Sequence, residues 1–187
     1  MIHLAIRHLA QQLNQFLRRT HGLNEDIVLV SNLVNQDGAA APDAGNKLVM
    51  FLTNIEKDSV PFRVADASAS ARVAVSSPPL YLNLYVMVAA NFTGNNYPEA
   101  LKFISSAIGF FQRQAVFDRQ NSPELDLRID KLILDVENLK IQDLSNLWGL
   151  VSGKYLPSIL YRVRLIAFDT EDVVQQVPII RGLDVNA

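Results

Sequence analysis

The stretch from Leu144 to Phe168 constrains the fold most, because it joins a short amphipathic helix to a long strand pattern. The helix carries the chain's only tryptophan, Trp148, and the chain then passes through Gly153 and Pro157 into the strand. Glycine commonly ends a helix and proline cannot continue one, so the two elements must be separate and pack against a core. None of these residues forms a reactive group, so the stretch indicates a structural role rather than a catalytic one.

Hydrophobic periodicity places the remaining elements. Apolar residues recur every three or four positions in three segments, which predicts helices at Ile2 to His21, Tyr97 to about Arg113 and Leu144 to Val151. Alternating or β-branched runs predict strands at 27–34, 47–56, 80–92, 128–138, 157–168 and 173–180. The predicted fold class is therefore α+β: a single domain with a mixed or antiparallel sheet of about six strands packed against about three helices.

Local signals predict how two of these elements begin and pack. Pro78 and Pro79 lack backbone donors and suit the entrance of strand 80–92, which we expect to be central in the sheet. Asn96 is the expected N-cap of the second helix, which we expect to be buried on more than one side. Gly109 lies inside that helix at a cost of roughly 1 kcal/mol relative to alanine, so a close approach by another element is expected there.

Segments without a clear period interrupt this pattern. We expect residues 1–187 to form one domain with mobile loops near 35–46 and 57–79 and a C-terminal arm at 173–187. The 57–79 connection is rich in Ala and Ser, and connections of that length are uncommon inside a compact domain. Pro178 indicates that 173–180 is an edge strand or an arm.

Composition disfavours several classes of partner. The net charge is −2, so no global positive field gathers nucleic acid or coats an anionic membrane. There is no cysteine, which removes disulfides and thiolate chemistry. The N-terminus, MIHLAIRHLA, interleaves charges with apolar residues and does not match a secretory signal, so we expect assembly in the cytoplasm.

The chain offers little catalytic or metal-binding chemistry. His3 and His8 lie five positions apart and so on different sides of a helix, and no nucleotide-binding, nucleophile-elbow or metalloprotease motif is present. One acidic cluster alternates with lysines and indicates a solvated face: Asp126, Asp130, Asp135, Glu137 and Asp143. We therefore expect no enzyme activity, no cofactor and no metal site.

Other polar and aromatic residues have simple structural interpretations. Asn83 and Asn91 lie within an apolar strand and are expected to be hydrogen-bonded structural amides. Trp148 and Tyr155 flank a glycine-containing turn, where packing is favoured over stacking on a base or a sugar.

The candidate partner-binding residues lie near the C-terminus. Arg162 and Arg164 project from the same face of one strand and pair either with local acids or with acids on another subunit. The apolar arm can add to the sheet edge of a neighbouring subunit and so close a ring, through Val173, Val174, Val177, Ile179 and Ile180.

Three long blocks resemble a known family: PPLYLNLYVMVAANF at Pro78 to Phe92, NYPEALKFISSAIGFFQRQAVF at Asn96 to Phe117 and LSNLWGLVSGKYLPSILYRVRLI at Leu144 to Ile166. They are similar to the N-terminal domain family of the cap, or tail-terminator, proteins of extracellular contractile injection systems, which are phage-tail-like particles. The opening helix and the strand at Val49 to Glu56 also resemble that family, so the likeness covers most of the chain.

The resemblance implies a tail-terminator-like fold and a structural role. It implies a homo-hexameric ring on the particle end distal to the baseplate, where the ring binds terminal inner-tube and sheath subunits and stops polymerisation. The protein would assemble in the cytoplasm and then be part of the extracellular particle. The alternative is a non-catalytic adaptor that binds a toxin or another component of the injection system as a monomer.

Overall fold

The structure, a computed structural model, describes residues 1–35, 38–58, 80–151 and 154–167. Along the chain these residues form nine elements: α1 (Ile2–His21), β1 (Val28–Val30), β2 (Lys47–Lys57), β3 (Leu80–Asn91), α2 (Tyr97–Arg113), β4 (Val116–Asp118), β5 (Ile129–Val136), α3 (Ile141–Val151) and β6 (Ser158–Ala167). The three helices and the longer strands match the predicted periodicity.

The strands of this part of the chain form one mixed sheet in the order β1-β2-β3-β6-β5-β4. β1 runs parallel to β2, and every other neighbouring pair is antiparallel. β3 lies between β2 and β6, so the predicted central position of strand 80–92 is confirmed. The predicted α+β class is confirmed as well.

Two strands differ from the prediction. β1 covers only Val28–Val30 of the predicted strand at 27–34. The structure has β4 at Val116–Asp118, where no strand was predicted, because three residues are too few to show an alternating period. Phe117 is fully buried and pairs with Leu132, so long-range packing holds this strand in place. The predicted strand at 173–180 lies outside the described residues.

The two faces of the sheet are covered differently. On the first face, α1 and α2 pack on alternate residues of the strands and form the larger core, with stacked aromatic pairs such as Phe16 and Phe110 at 5.0 Å. On the second face, α3 and the part of the 35–46 loop that is described cover a smaller core that contains Trp148, Ala41 and Ala44. The sheet therefore carries most of its helical cover on one side.

A polar side chain within the apolar stripe of α1 holds this helix against β1 by hydrogen bonds. The buried Asn14 accepts hydrogen bonds from the backbone N–H groups of Ile27 and Val28 at 3.0 and 2.8 Å and donates to the carbonyl of Val28 at 2.9 Å. The helix ends at Gly22, which has a φ of 64° and donates its N–H to the carbonyl of Arg18. Arg18, Arg19 and His21 occupy the last turn, as the predicted stop signal requires.

Asn96 occupies the N-cap of α2, as expected, although its side chain makes no capping hydrogen bond and its amide donates instead to Oδ1 of Asn46 at 3.4 Å. Two other expectations about α2 are wrong. A Cβ placed on Gly109 meets only Nη1 of Arg113 at 3.7 Å, an ordinary contact, so no element approaches closely. The helix buries one face, and Leu101 and Ile108 on its other side are exposed, since the described elements pack only against its inner side.

Candidate assembly interface

The two arginines of β6 lie on the second face of the sheet, as the alternation predicts. Tyr161, Val163 and Leu165 between and beside them are buried in the core of the first face. Arg162 extends across the sheet toward β5, where its guanidinium lies 3.8 Å from the Asp135 carboxylate and 3.9 Å from the Glu137 carboxylate. All three side chains of this group are partly exposed, so screening limits the stabilisation to about 1 kcal/mol or less.

Arg164 has a tighter partner. Its Nε lies 2.7 Å from Oδ2 of Asp58, whose side chain is almost fully buried at the end of β2. Of the two alternatives for the arginines, the structure shows pairing with local acids. Their contact with acids of another subunit stays a prediction, and the predicted arm residues 173–180 lie outside the described part of the chain.

These arginines belong to a larger polar patch on the second face, which we define as Asn54, Glu56, Asp58, Asn83, Tyr85, Asp135, Glu137, Arg162 and Arg164. Cross-strand pairing aligns Asn54, Tyr85, Arg162 and Asp135 in one row across four strands. The carboxylates in the patch outnumber the guanidinium groups, so its net charge is negative. A surface of this kind fits a partner by charge complementarity rather than by apolar burial.

Hydrogen bonds order one side of the polar patch. The Tyr85 hydroxyl donates to Glu56 at 2.9 Å, which raises the pKa of that tyrosine, and Asn54 donates to the same carboxylate at 3.1 Å. Asn91, outside the patch, donates to the carbonyl of Ala44 at 2.9 Å, so its expected role as a structural amide is confirmed. The same expectation is wrong for Asn83, whose buried Oδ1 has no hydrogen-bond donor among the described residues.

α3 presents exposed apolar side chains beside the polar patch's side of the sheet. Trp148 is the buried residue of this helix, and its ring meets Tyr155 edge-on at 5.8 Å, which confirms the packing interpretation. Ile141 and Leu150 are 85% and 86% exposed. The sequence pattern did not reveal Ile141, because the helix begins three residues before the predicted Leu144.

A groove of about 850 Å³ opens on the first face, beneath the N-terminal end of α1. Its walls are mostly apolar and include Ile2, Ile6, Val30, Met50, Leu52 and Leu82. Periodicity did not reveal this groove, because it depends on where β1 stops relative to β2.

The titratable groups are spread out rather than gathered into one cleft. His8 is buried against Phe117, and burial lowers its pKa although Glu124 opposes the shift. Three hydrogen bonds from Arg128 hold the pKa of Asp126 at about 2. None of the five residues of the predicted acidic cluster is buried, so its interpretation as a solvated face is confirmed.

Among the described residues, no group of three or more His, Cys, Asp or Glu side chains lies close enough to hold a metal ion. No helix in this part of the chain is long and apolar enough to span a membrane.

Comparison with solved structures identifies the fold. The sheath/tube terminator of PVC, an extracellular contractile injection system, in its extended state superposes with a TM-score of 0.53 at 16% identity over 97% of this chain and 64% of that one. The tube-terminating cap of the anti-feeding prophage superposes with a TM-score of 0.54 at 13% identity over 95% of this chain and 59% of that one. The chain thus has the fold of these terminator and cap structures and spans less than two thirds of their length.

Comparison of sequences identifies the family. The sequence model described as the Pvc16 N-terminal domain matches residues 5–182, which is nearly the whole chain. The chain therefore belongs to the Pvc16 N-terminal domain family, and the predicted family resemblance is confirmed. A comparison with curated protein sequences gives no match.

Proposed function

We propose that this chain forms a ring on the baseplate-distal end of a contractile phage-tail-like particle and terminates its inner tube and sheath. The observation that carries the proposal is the family match over residues 5–182, supported by the same fold in a sheath/tube terminator and a tube-terminating cap. The proposed ring is a homo-hexamer that assembles in the cytoplasm and leaves as part of the extracellular particle. Its role is structural rather than enzymatic.

Capping makes a simple physical demand on this domain. A stack of rings exposes a heterologous interface at its growing end, so a cap must match that interface on one face and offer none on the other. The unequal cover of the two sheet faces supports this role, since α1 and α2 cover the first face and leave the polar patch exposed on the second. Repetition around a ring makes contacts that are weak individually bind strongly together.

The experiment is electron microscopy of particles assembled with and without this chain, with the lengths of tube and sheath measured on many particles. The expected result is a narrow length distribution and a labelled tag on this chain at one particle end. Without the chain, lengths are expected to become variable, or the sheath to be lost. Unchanged lengths with no label at particle ends would refute the proposal, and a labelled monomer bound to a toxin instead would establish the adaptor alternative.

A matched pair of variants tests the partner role of the polar patch. Arg162→Gln is expected to reduce occupancy of particle ends several-fold, because it removes a guanidinium that we propose pairs with an acid of another subunit. Arg128→Gln is the control, since Arg128 has similar exposure, 44% against 40%, but pairs with Asp126 away from the patch. Equal occupancy of particle ends by the two variants, at equal thermal stability, would show that Arg162 is not part of the interface.

A further inference from the structure

β1 covers only part of the outer edge of β2. β2 has 11 residues, whereas β1 has three and pairs only with Leu48 to Met50. After Val30 the chain turns away, and Leu33 packs into the core of the second face. Within the described ranges, residues 51–57 of β2 therefore have no strand on their outer side.

An apolar groove lies beside this open edge. It runs between the N-terminal turns of α1 and the sheet, with Met50 and Leu52 of β2 in its wall. Val30 at its rim is 45% exposed, and Leu80 at its far end is 41% exposed. An open strand edge supplies backbone donors and acceptors, and a groove beside it accepts alternate side chains, which is the geometry of strand addition.

Other features limit where a strand can be added. The register of β2 shifts at a bulge between Leu52 and Asn54, and the strand ends in the charged residues Glu56 and Lys57. Bulges and charges protect sheet edges against unselective pairing. The accessible edge is therefore short, centred on residues 51–55, and fits one specific segment.

We propose that this edge and groove receive residues 173–180 of a neighbouring copy of this chain as an added strand. The inference rests on the proposed ring, because it assigns the surface through which one subunit holds the next. The segment reads VVQQVPII and has no charged side chain, while His3 is the sole titratable side chain in the groove lining. Pro178 is tolerated, because an outermost strand leaves alternate N–H groups without a ladder partner.

The position of β6 favours a neighbour over the chain's own arm. β6 ends at Ala167, which pairs with Leu80, and Leu82 next along β3 pairs with Lys57. β3 and β2 lie between β6 and this outer edge, so the chain's own arm would have to pass the ends of both strands to reach it, whereas the arm of a neighbouring copy can approach from outside the sheet.

Disulfide trapping tests the proposal, because the chain has no cysteine of its own. One tagged chain carries Ile55→Cys, at an edge position that is 44% exposed. A second chain with a different tag carries Val173→Cys, Val177→Cys or Ile179→Cys. The two chains are co-expressed with tube and sheath subunits, oxidised and separated by non-reducing electrophoresis. The expected result is a product that carries both tags for at least one of the three pairs.

A matched control uses the opposite end of the sheet. Val136 lies at the end of β5, is 49% exposed and sits beyond the residues that β4 covers. Val136→Cys is expected to give no product with the arm cysteines. Likewise Val30→Asp is expected to lower ring formation several-fold, and Val136→Asp to leave it unchanged.

Each other outcome overturns the inference. A crosslink found only within a chain that carries both cysteines identifies the chain's own arm as the occupant. Crosslinking to Val136→Cys instead of Ile55→Cys would show that the acceptor lies at the other edge of the sheet. If no pair gives a product, the proposed site does not exist. If the chain is absent from particle ends, the proposed function fails by itself, and the same trapping on the purified chain still decides the strand addition.

Discussion

The titratable imidazole ring of His8 lies inside the core between α1 and β4. Its Nε2 has no hydrogen-bond partner among the described residues, and burial lowers its pKa below the ordinary 6.5. The folded protein therefore binds a proton less readily than the unfolded chain. The stabilisation from neutral His8 is complete above about pH 6.5 and is lost as the pH falls from there through the lowered pKa.

We expect His8→Leu to flatten the pH dependence of stability below pH 6.5, because the buried group that titrates is gone. The measurement is the free energy of unfolding in urea at several pH values on both sides of about 6.5. His3→Gln is the control, since His3 is exposed on the same helix and should leave the slope unchanged. A slope in His8→Leu equal to that of the parent protein would contradict this account.

The Arg164 and Asp58 pair is the closest ion pair of the polar patch. Removing the guanidinium leaves an almost fully buried carboxylate without this cation, and Arg164→Gln is expected to destabilise the protein by about 1–3 kcal/mol. Chemical denaturation measures the loss. The double variant Asp58→Asn with Arg164→Gln should recover part of it, and a loss in the double variant equal to the sum of the single losses would show that the pair is not coupled.

At the scale of elements, Trp148 is the main anchor of α3. It is the one buried side chain of this helix and contacts the smaller core of the second face, where Leu144, Leu147 and Val151 pack only partly buried. We expect Trp148→Ala to cost about 3 kcal/mol and to free the helix locally, because the remaining contacts of α3 with the sheet bury much less surface. Amide hydrogen exchange should then accelerate across Ile141–Val151 while β3 and β6 stay protected.

Leu150→Ala is the matched control for this helix. Leu150 lies two residues from Trp148 and is 86% exposed, so its truncation is expected to cost less than about 0.5 kcal/mol. Global acceleration of exchange in Trp148→Ala, with β3 and β6 affected equally, would show that α3 is an integral part of the fold rather than a locally attached element.

At the scale of the whole molecule, the described elements up to Ala167 form an extensive core on the first face of the sheet. We expect this core to be sufficient for folding. Deletion of Val173 to Ala187 is therefore expected to leave a folded subunit with a cooperative thermal transition that no longer occupies particle ends. Circular dichroism checks the fold and electron microscopy checks the ends, and normally capped particles from the truncated chain would refute a role for the arm in assembly.

Periodicity located α1, α2, β3 and β6 because each buries a stripe or face long enough to repeat several times. It missed β4 and the hydrogen bonds by which Asn14 holds α1 against β1, since a three-residue strand and a single amide have no period. It also wrongly predicted a close approach of another element at Gly109, because the apolar residues of a helix do not show how many elements pack against it.

The sequence by itself determined the local elements, the buried face of β6, the stop at Gly22 and the family, since these depend on contiguous residues. Only the tertiary structure decided the strand order, the pairing of Arg164 with Asp58 and the open edge of β2 beside its groove. The reason is that backbone geometry encodes period within one element, whereas pairing between distant strands depends on how all the elements share one core.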